Sequence, residues 1–158
     1  KSKAKKAISA LCRYEIELLE QPIPAWDKKG LAMIGEEMPL MADEALFNSH
    51  DALELVDKVG YFNIKLNKSG GILEALRTAN IAKVCGIKCM VGCMGGETVV
   101  GITAGFALAS LIDAAMVDLD SPLLLKCNPV RGGVKYVRDQ ILPPESYGFG
   151  IEGLKNDH

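Results

Sequence analysis

The sequence predicts an α/β fold: a partial (β/α) barrel with about five βα units and a C-terminal hairpin extension. Two observations carry this, and a third weighs against the main alternative. Short apolar runs alternate with longer amphipathic ones, with no linker or low-complexity break, as in a parallel sheet built from strand–helix units. Each apolar run ends at a polar or ionisable residue: Glu20, Asp43, Lys65, Cys93 and Asp118, spaced by about one βα repeat. An open, doubly wound sheet gives the same alternation, but its cue is a Gly-x-Gly-x-x-Gly first turn, and Gly70-Gly71 after Lys68-Ser69 lacks that pattern. In a TIM-type barrel all strand C-terminal ends meet at one face, and that face holds the chemistry.

The elements follow in order. Residues 4–14 read as a helix with Ala7, Ile8, Leu11 and Cys12 on one side, and residues 15–19 as a strand. A short helix over 27–35 leads to a strand over 40–42. Ser49 reads as the N-cap of a helix running to about Val56, followed by a strand over 61–66. A helix over 72–85 stops at Gly86, and 88–92 is a strand. A long helix rich in small residues spans 97–112, and 115–119 is the last strand of the repeat. Residues 133–137 and 140–142 form a hairpin or a pair of short strands.

Composition narrows the function classes. At 158 residues the chain is long enough for one core. The net charge of −2 argues against a polyanion such as nucleic acid, and the one dense basic cluster, Lys1, Lys3, Lys5 and Lys6, reads as a solvated helix face. Residues 8–20 carry Arg13, Glu15 and Glu17 where a signal peptide needs an apolar core. The weakly polar stretch from Gly101 to Ile112 is too short to span a bilayer, so no membrane role is expected. Five cysteines, an odd number, do not read as a disulfide framework and fit a reducing cytoplasm. Cys85, Cys89 and Cys93 stand four apart, which invites a metal site, but Cys85 lies beyond the Gly86 turn. The first residue is not Met and Lys1 falls inside a helical pattern, so the chain reads as cropped from a longer one.

The strand ends supply the candidate chemistry. Glu20 follows the apolar run Ile16 to Leu19, and Pro22 ends the strand, so the carboxylate can face the mouth. Asp43-Glu44 follows Leu40-Met41-Ala42 in the same way. Two carboxylates on neighbouring strand tips can share a hard cation such as Mg²⁺, which takes oxygen ligands; a solvated acidic rim is the alternative. Lys65 sits in Phe62-Asn63-Ile64-Lys65-Leu66, where a lysine is costly unless it faces a polar cavity. Partly desolvated near a metal, its pKa can fall toward neutrality, which makes it a usable proton acceptor. A lysine snorkelling to the surface fits the same residues. Lys68 reads as a loop lysine that either binds an anionic group or faces water, with water favoured, and Ser69-Gly70-Gly71 before Ile72 gives a weak anion-binding signal. In Asp118-Leu119-Asp120, alternation puts both carboxylates on one side, where they could receive an ammonium group; a turn before Ser121-Pro122 is the other reading. His50 and His158 follow no apolar strand, and no HExxH, GxSxG or Walker motif is present.

Together, Ile16-Glu17-Leu18-Leu19-Glu20-Gln21-Pro22, Met41-Ala42-Asp43-Glu44, Asn63-Ile64-Lys65-Leu66-Asn67-Lys68-Ser69-Gly70-Gly71 and Cys89-Met90-Val91-Gly92-Cys93-Met94 resemble the muconate-lactonizing subgroup of the enolase superfamily. Asp118-Leu119-Asp120-Ser121-Pro122-Leu123 resembles its dipeptide epimerases in particular. The resemblance implies a Mg²⁺ enzyme that removes the proton α to a carboxylate, with the cation stabilising the charge left behind. It implies Glu20 and Asp43 as metal ligands, Glu44 beside them, and Lys65 as one of two opposed acid/base lysines. Asp118 and Asp120 would hold the α-ammonium of an L-Ala-Glu-like dipeptide, and the pocket would include Cys93 and Met94. A cycloisomerase or succinylbenzoate-synthase-like lyase on the same scaffold, or a non-catalytic fragment, are the alternatives. By the same resemblance, residues 1–158 form the C-terminal part of the barrel. The capping domain, the first strands, the other lysine and another metal-binding aspartate would lie upstream. Such a part would leave strand edges open to another chain, a second copy included. Gly95-Gly96-Glu97 is one residue longer than the usual run, and Gly148-Phe149-Gly150-Ile151 resembles the ending of many members.

Overall fold

A computed structural model describes residues 2–155 of the chain; His158 and the Lys1 end of the basic cluster lie outside them. The five strands are β1 (Leu19–Glu20), β2 (Leu40–Ala42), β3 (Tyr61–Lys65), β4 (Lys88–Gly92) and β5 (Met116–Asp118). They form one parallel sheet in chain order, curled into half of a barrel. The helices are α1 (Ser2–Leu11), α2 (Lys28–Gly35), α3 (Ser49–Leu55), α4 (Leu66–Ser69), α5 (Ile72–Val84) and α6 (Val99–Leu111). Phe62, Ile64 and Val91 are fully buried on the helix side of the sheet, within one cluster that includes Leu31, Leu55, Ala75, Ala79, Ile102 and Leu108. Strands covered on both faces read as continuous apolar runs, which is why β2 is buried at all three positions.

Register decides what the concave face carries. Tyr61 pairs with Lys88, Asn63 with Met90 and Lys65 with Gly92, and Gly92 in turn pairs with Asp118. Side chains alternate along a strand, so Asn63, Lys65, Met90, Gly92, Met116 and Asp118 share one face. Glu20 pairs with Met41, which pairs with Tyr61, and this puts Glu20 and, two residues past Met41, Asp43 on the same face.

Several boundaries differ from the sequence reading. The first strand is only Leu19–Glu20, because β2 begins at Leu40 opposite Leu19 and residues 15–18 have nothing to pair with. The N-cap of α3 is Asn48, not Ser49. Asn48 accepts from the amides of His50 and Asp51, and Asp51 returns the bond to the Asn48 amide, a full capping box. Helix 97–112 begins later, at Val99, with Thr98 as N-cap. The last strand stops at Asp118, and Asp120 already has helical backbone ahead of a 3-10 turn over Ser121–Leu124. Leu66, read as strand, instead opens α4, a single turn that ends at Gly70 (φ 73°) and Gly71 (φ 126°). Only glycine adopts the second of these readily, so the Gly-Gly pair is what allows α4 to fold back over the strand tips before α5 begins.

The C-terminal hairpin is present as β7 (Lys135–Val137) and β8 (Gln140–Leu142). A second antiparallel pair, β6 (Val130–Gly132) with β9 (Ile151–Leu154), brackets it, and Gly148-Phe149-Gly150-Ile151 leads into β9. Among the described residues no helix is long and apolar enough to cross a membrane.

Candidate active site

Glu20, Asp43 and Lys65 converge at the tips of β1, β2 and β3. The Lys65 ammonium donates to Oδ2 of Asp43 at 2.6 Å. Asn63 Nδ2 donates to Oε1 of Glu20 at 2.6 Å, reaching across β2. Burial raises the Glu20 carboxyl above its ordinary value; Asn63 opposes this and the neighbouring Asp43 carboxylate adds to it. The two carboxylates are therefore close enough to repel. Asp43 is buried, which would raise its pKa, but hydrogen bonds from Lys65 and Lys68 outweigh burial and hold it ionised.

At Lys65 two effects oppose each other. Burial pulls its pKa down, as the sequence suggests, but Asp43, with Glu20 and Glu44 adding charge, outweighs burial and raises it. The side chain is an ammonium held by a carboxylate. Lys68 takes the less favoured of its two readings, on an anionic group. It does not face water: its side chain is 6% exposed against 14% for Lys65 and 9% for Asp43. Its ammonium bonds Oδ1 of Asp43, the Asp43 carbonyl at 2.6 Å and the Asn63 carbonyl at 3.1 Å. The one-turn α4 makes this possible by turning residue 68 back over β3, where a loop would have let it swing outward.

Two further residues build this corner. Gln21, with φ of 35°, accepts from the amides of Asp43 (3.0 Å) and Ala45 (3.1 Å) and so fixes where β2 leaves the sheet. Asn63 lies two residues before Lys65, on the same face, and that period-two position was the sequence signal for it. Glu44 is exposed at the rim.

A second group stands at β4 and β5. Cys93 is buried, and burial raises its thiol, with Asp118, Glu97 and Asp120 adding to the shift against a bond from the Ser121 amide. Asp118 and Asp120 are both exposed and flank the buried Leu119. Register puts Asp118 on the Lys65 face, while Asp120 owes its place to the turn and not to alternation. Tyr136 from the hairpin donates to the Leu119 carbonyl at 2.5 Å. Asp118, Asp120 and Tyr136 line an open cavity of about 530 Å³ with Phe106 and Arg138. Met94 is exposed, and its amide donates to Glu97 Oε1 at 2.7 Å, closing the Gly95-Gly96 loop. Cys85 is exposed and Cys89 half-buried, and all five cysteines are unpaired. Among the described residues no three His, Cys, Asp or Glu side chains cluster as a metal site.

A parallel half-barrel with ionisable groups at successive strand tips defines the class: part of an α/β barrel that gathers its polar groups at the strand C-terminal ends. The chain belongs to the family described as enolase C-terminal domain-like, whose model matches residues 1–156. A hydrophobic dipeptide epimerase from Enterococcus faecalis is 46% identical over 154 residues, covering 94% of this chain and 44% of that protein. The structure of a substrate-liganded complex of the L-Ala-D/L-Glu epimerase from Bacillus subtilis superposes with a TM-score of 0.91 at 37% identity, over 97% of this chain and 45% of that one. A dipeptide epimerase from Enterococcus faecalis V583 complexed with Mg and the dipeptide L-Leu-L-Tyr gives a TM-score of 0.85 at 42% identity, over 98% and 45%. The chain thus spans less than half the length of the relatives it matches.

Proposed function

We propose that this chain carries part of the active site of a Mg²⁺-dependent epimerase acting on dipeptides or related amino-acid derivatives. The observation that carries the proposal is the meeting of Glu20, Asp43 and Lys65 at the tips of neighbouring parallel strands. The relatives, named as epimerases, one of them complexed with Mg and a dipeptide, support it. In this reading residues 1–158 are the C-terminal part of the barrel, and a capping domain, the first strands, a second lysine and a further carboxylate complete the site.

The donor set fits the cation in part. Glu20 and Asp43 offer hard oxygens, held close enough to repel one another, and Mg²⁺ is commonly held by one or two carboxylates with water and substrate oxygens. Glu20 and Asp43 would hold it, and when bound it would supply Lewis-acid stabilisation of charge on the substrate carboxylate. Lys65, held as an ammonium by Asp43, is ready to return a proton; to accept one it must first leave that carboxylate. Glu44, at the rim, adds negative charge that favours both lysine ammoniums. Asp118 and Asp120 offer two exposed carboxylates to a substrate ammonium, with Cys93 and Met94 contributing to the pocket. Five unpaired cysteines support a cytoplasmic setting, and β1 and β5, at the sheet edges, are where another chain or a second copy would pair.

The test is α-carbon deuteration of a dipeptide library in deuterated water, run on this chain and on the full product of its gene. Deuteration by the full product of peptides with a free α-ammonium, lost in Lys65→Ala, supports the epimerase. Exchange confined to anionic substrates without an ammonium favours the cycloisomerase or lyase. The chain alone should show little or no epimerisation; appreciable turnover by it contradicts the claim that the site is partial.

A further inference from the structure

The least anticipated feature of the site is Lys68. A buried ammonium must satisfy all three of its N–H donors or bear a desolvation penalty of several kcal/mol. Lys68 has three acceptors: Oδ1 of Asp43, the Asp43 carbonyl and the Asn63 carbonyl. The β2–β3 ladder has its last register pair at Ala42 and Phe62, so these two carbonyls belong to the residues just past its end. Lys68 therefore closes the end of the ladder and the Asp43 carboxylate with one group. Asp43 is fixed from every side: its amide by Gln21, its carbonyl by Lys68 and the Leu46 amide, its Oδ1 by Lys68. Only Oδ2 is left, and it faces Lys65.

We propose that Lys68 is a positioning residue, whose ammonium pins Oδ1 of Asp43 to the ends of β2 and β3 and so leaves Oδ2 alone on the Lys65 side. Its consequence for cation binding rests on the reading of Asp43 as a cation ligand given above. A lysine with all three donors engaged is not a second acid/base group. It sets the direction from which Asp43 can offer an oxygen.

Two measurements on this chain test the proposal. Nitrogen-15 NMR of its lysine side chains reads the pin directly: one slowly exchanging ammonium signal is expected, assigned to Lys68 by its loss in Lys68→Arg. If every ammonium exchanges as fast as surface lysines do, the pin does not exist. Binding of Mn²⁺, followed by electron paramagnetic resonance in wild type, Lys68→Met and Lys68→Arg, reads its consequence. Removing a positive charge beside a cation site should by charge alone tighten binding. Loss of positioning instead weakens it, by about 10-fold or more, as for other groups that orient metal ligands. The proposal predicts that weakening in Lys68→Met with the fold intact by circular dichroism. It predicts no recovery in Lys68→Arg, whose planar fork cannot spread three donors from a single nitrogen to these three acceptors. Equal or tighter Mn²⁺ binding in Lys68→Met, or full recovery in Lys68→Arg, overturns it. Absence of Mn²⁺ binding by wild type together with the slow Lys68 signal would end the cation reading of Asp43 and support the pin.

Discussion

Gly92 and Asn63 occupy the same space: a Cβ at position 92 would collide with Oδ1 of Asn63 and come within 3.1 Å of its Nδ2 and of Lys65 Cε. The glycine on β4 is what lets the asparagine on β3 lie flat in the barrel interior and reach Glu20. Its Oδ1 is buried against Gly92 with no hydrogen-bond partner, while Nδ2 holds the Glu20 carboxylate.

Gly92→Ala should therefore displace Asn63 and Lys65 together and cost about 1–3 kcal/mol through overpacking. Adding Asn63→Ala should relieve most of the clash, so the two substitutions will be non-additive in a double-mutant cycle measured by urea denaturation. Additive costs would mean that the two side-chain positions do not compete.

Asp43→Asn should be among the most destabilising changes in the chain. It takes away the carboxylate that both buried lysines bond and leaves only the lesser influence of Glu20 and Glu44, and breaking a buried ion pair from one side costs about 3–5 kcal/mol. Urea midpoints measured without divalent cations give the value; a change below about 1 kcal/mol would mean the lysines are solvated, as surface pairs are.

Glu74 on α5 supplies a pH-dependent contact. It accepts from the Ser49 hydroxyl (2.5 Å), the Ser49 amide (2.8 Å) and Arg77 (2.8 Å), which lower its carboxyl from 4.5 to about 2. A depressed folded-state pKa means stability that is present above about 4.5 and lost as pH falls toward 2. The stability difference between wild type and Glu74→Gln should be constant near neutrality and shrink over that acid window. A difference independent of pH would contradict the contact.

Tyr136 ties the C-terminal hairpin to the strand end between Asp118 and Asp120. Burial, with Cys93 and Asp120 adding to it, pushes its phenol up to about 12, so it stays a neutral donor. Tyr136→Phe should cost about 1 kcal/mol and speed amide exchange across 116–120. Unchanged exchange there would show that the hairpin does not hold the strand end.

How much of this was legible follows from where each partner lies. The strand tips were legible because an apolar run ending in an ionisable residue is a local pattern, and Glu20, Asp43, Lys65 and Asp118 each end such a run. Lys68 was not, because its acceptors sit at residues 43 and 63 and its direction depends on a one-turn helix that the sequence reads as loop. The β6–β9 pairing escaped for a similar reason: two very short strands about twenty residues apart leave no periodicity to read. The raised pKa of Lys65 could not be read from burial alone, since it is decided by a carboxylate 22 residues away.

In the proposed site Glu20 and Asp43 together face one cation. Anomalous diffraction from crystals grown with Mn²⁺ tests it most directly. A single strong peak is expected within ligand distance of both carboxylates, on the Lys65 side of Asp43. A peak elsewhere, or none in crystals saturated with the ion, would contradict it.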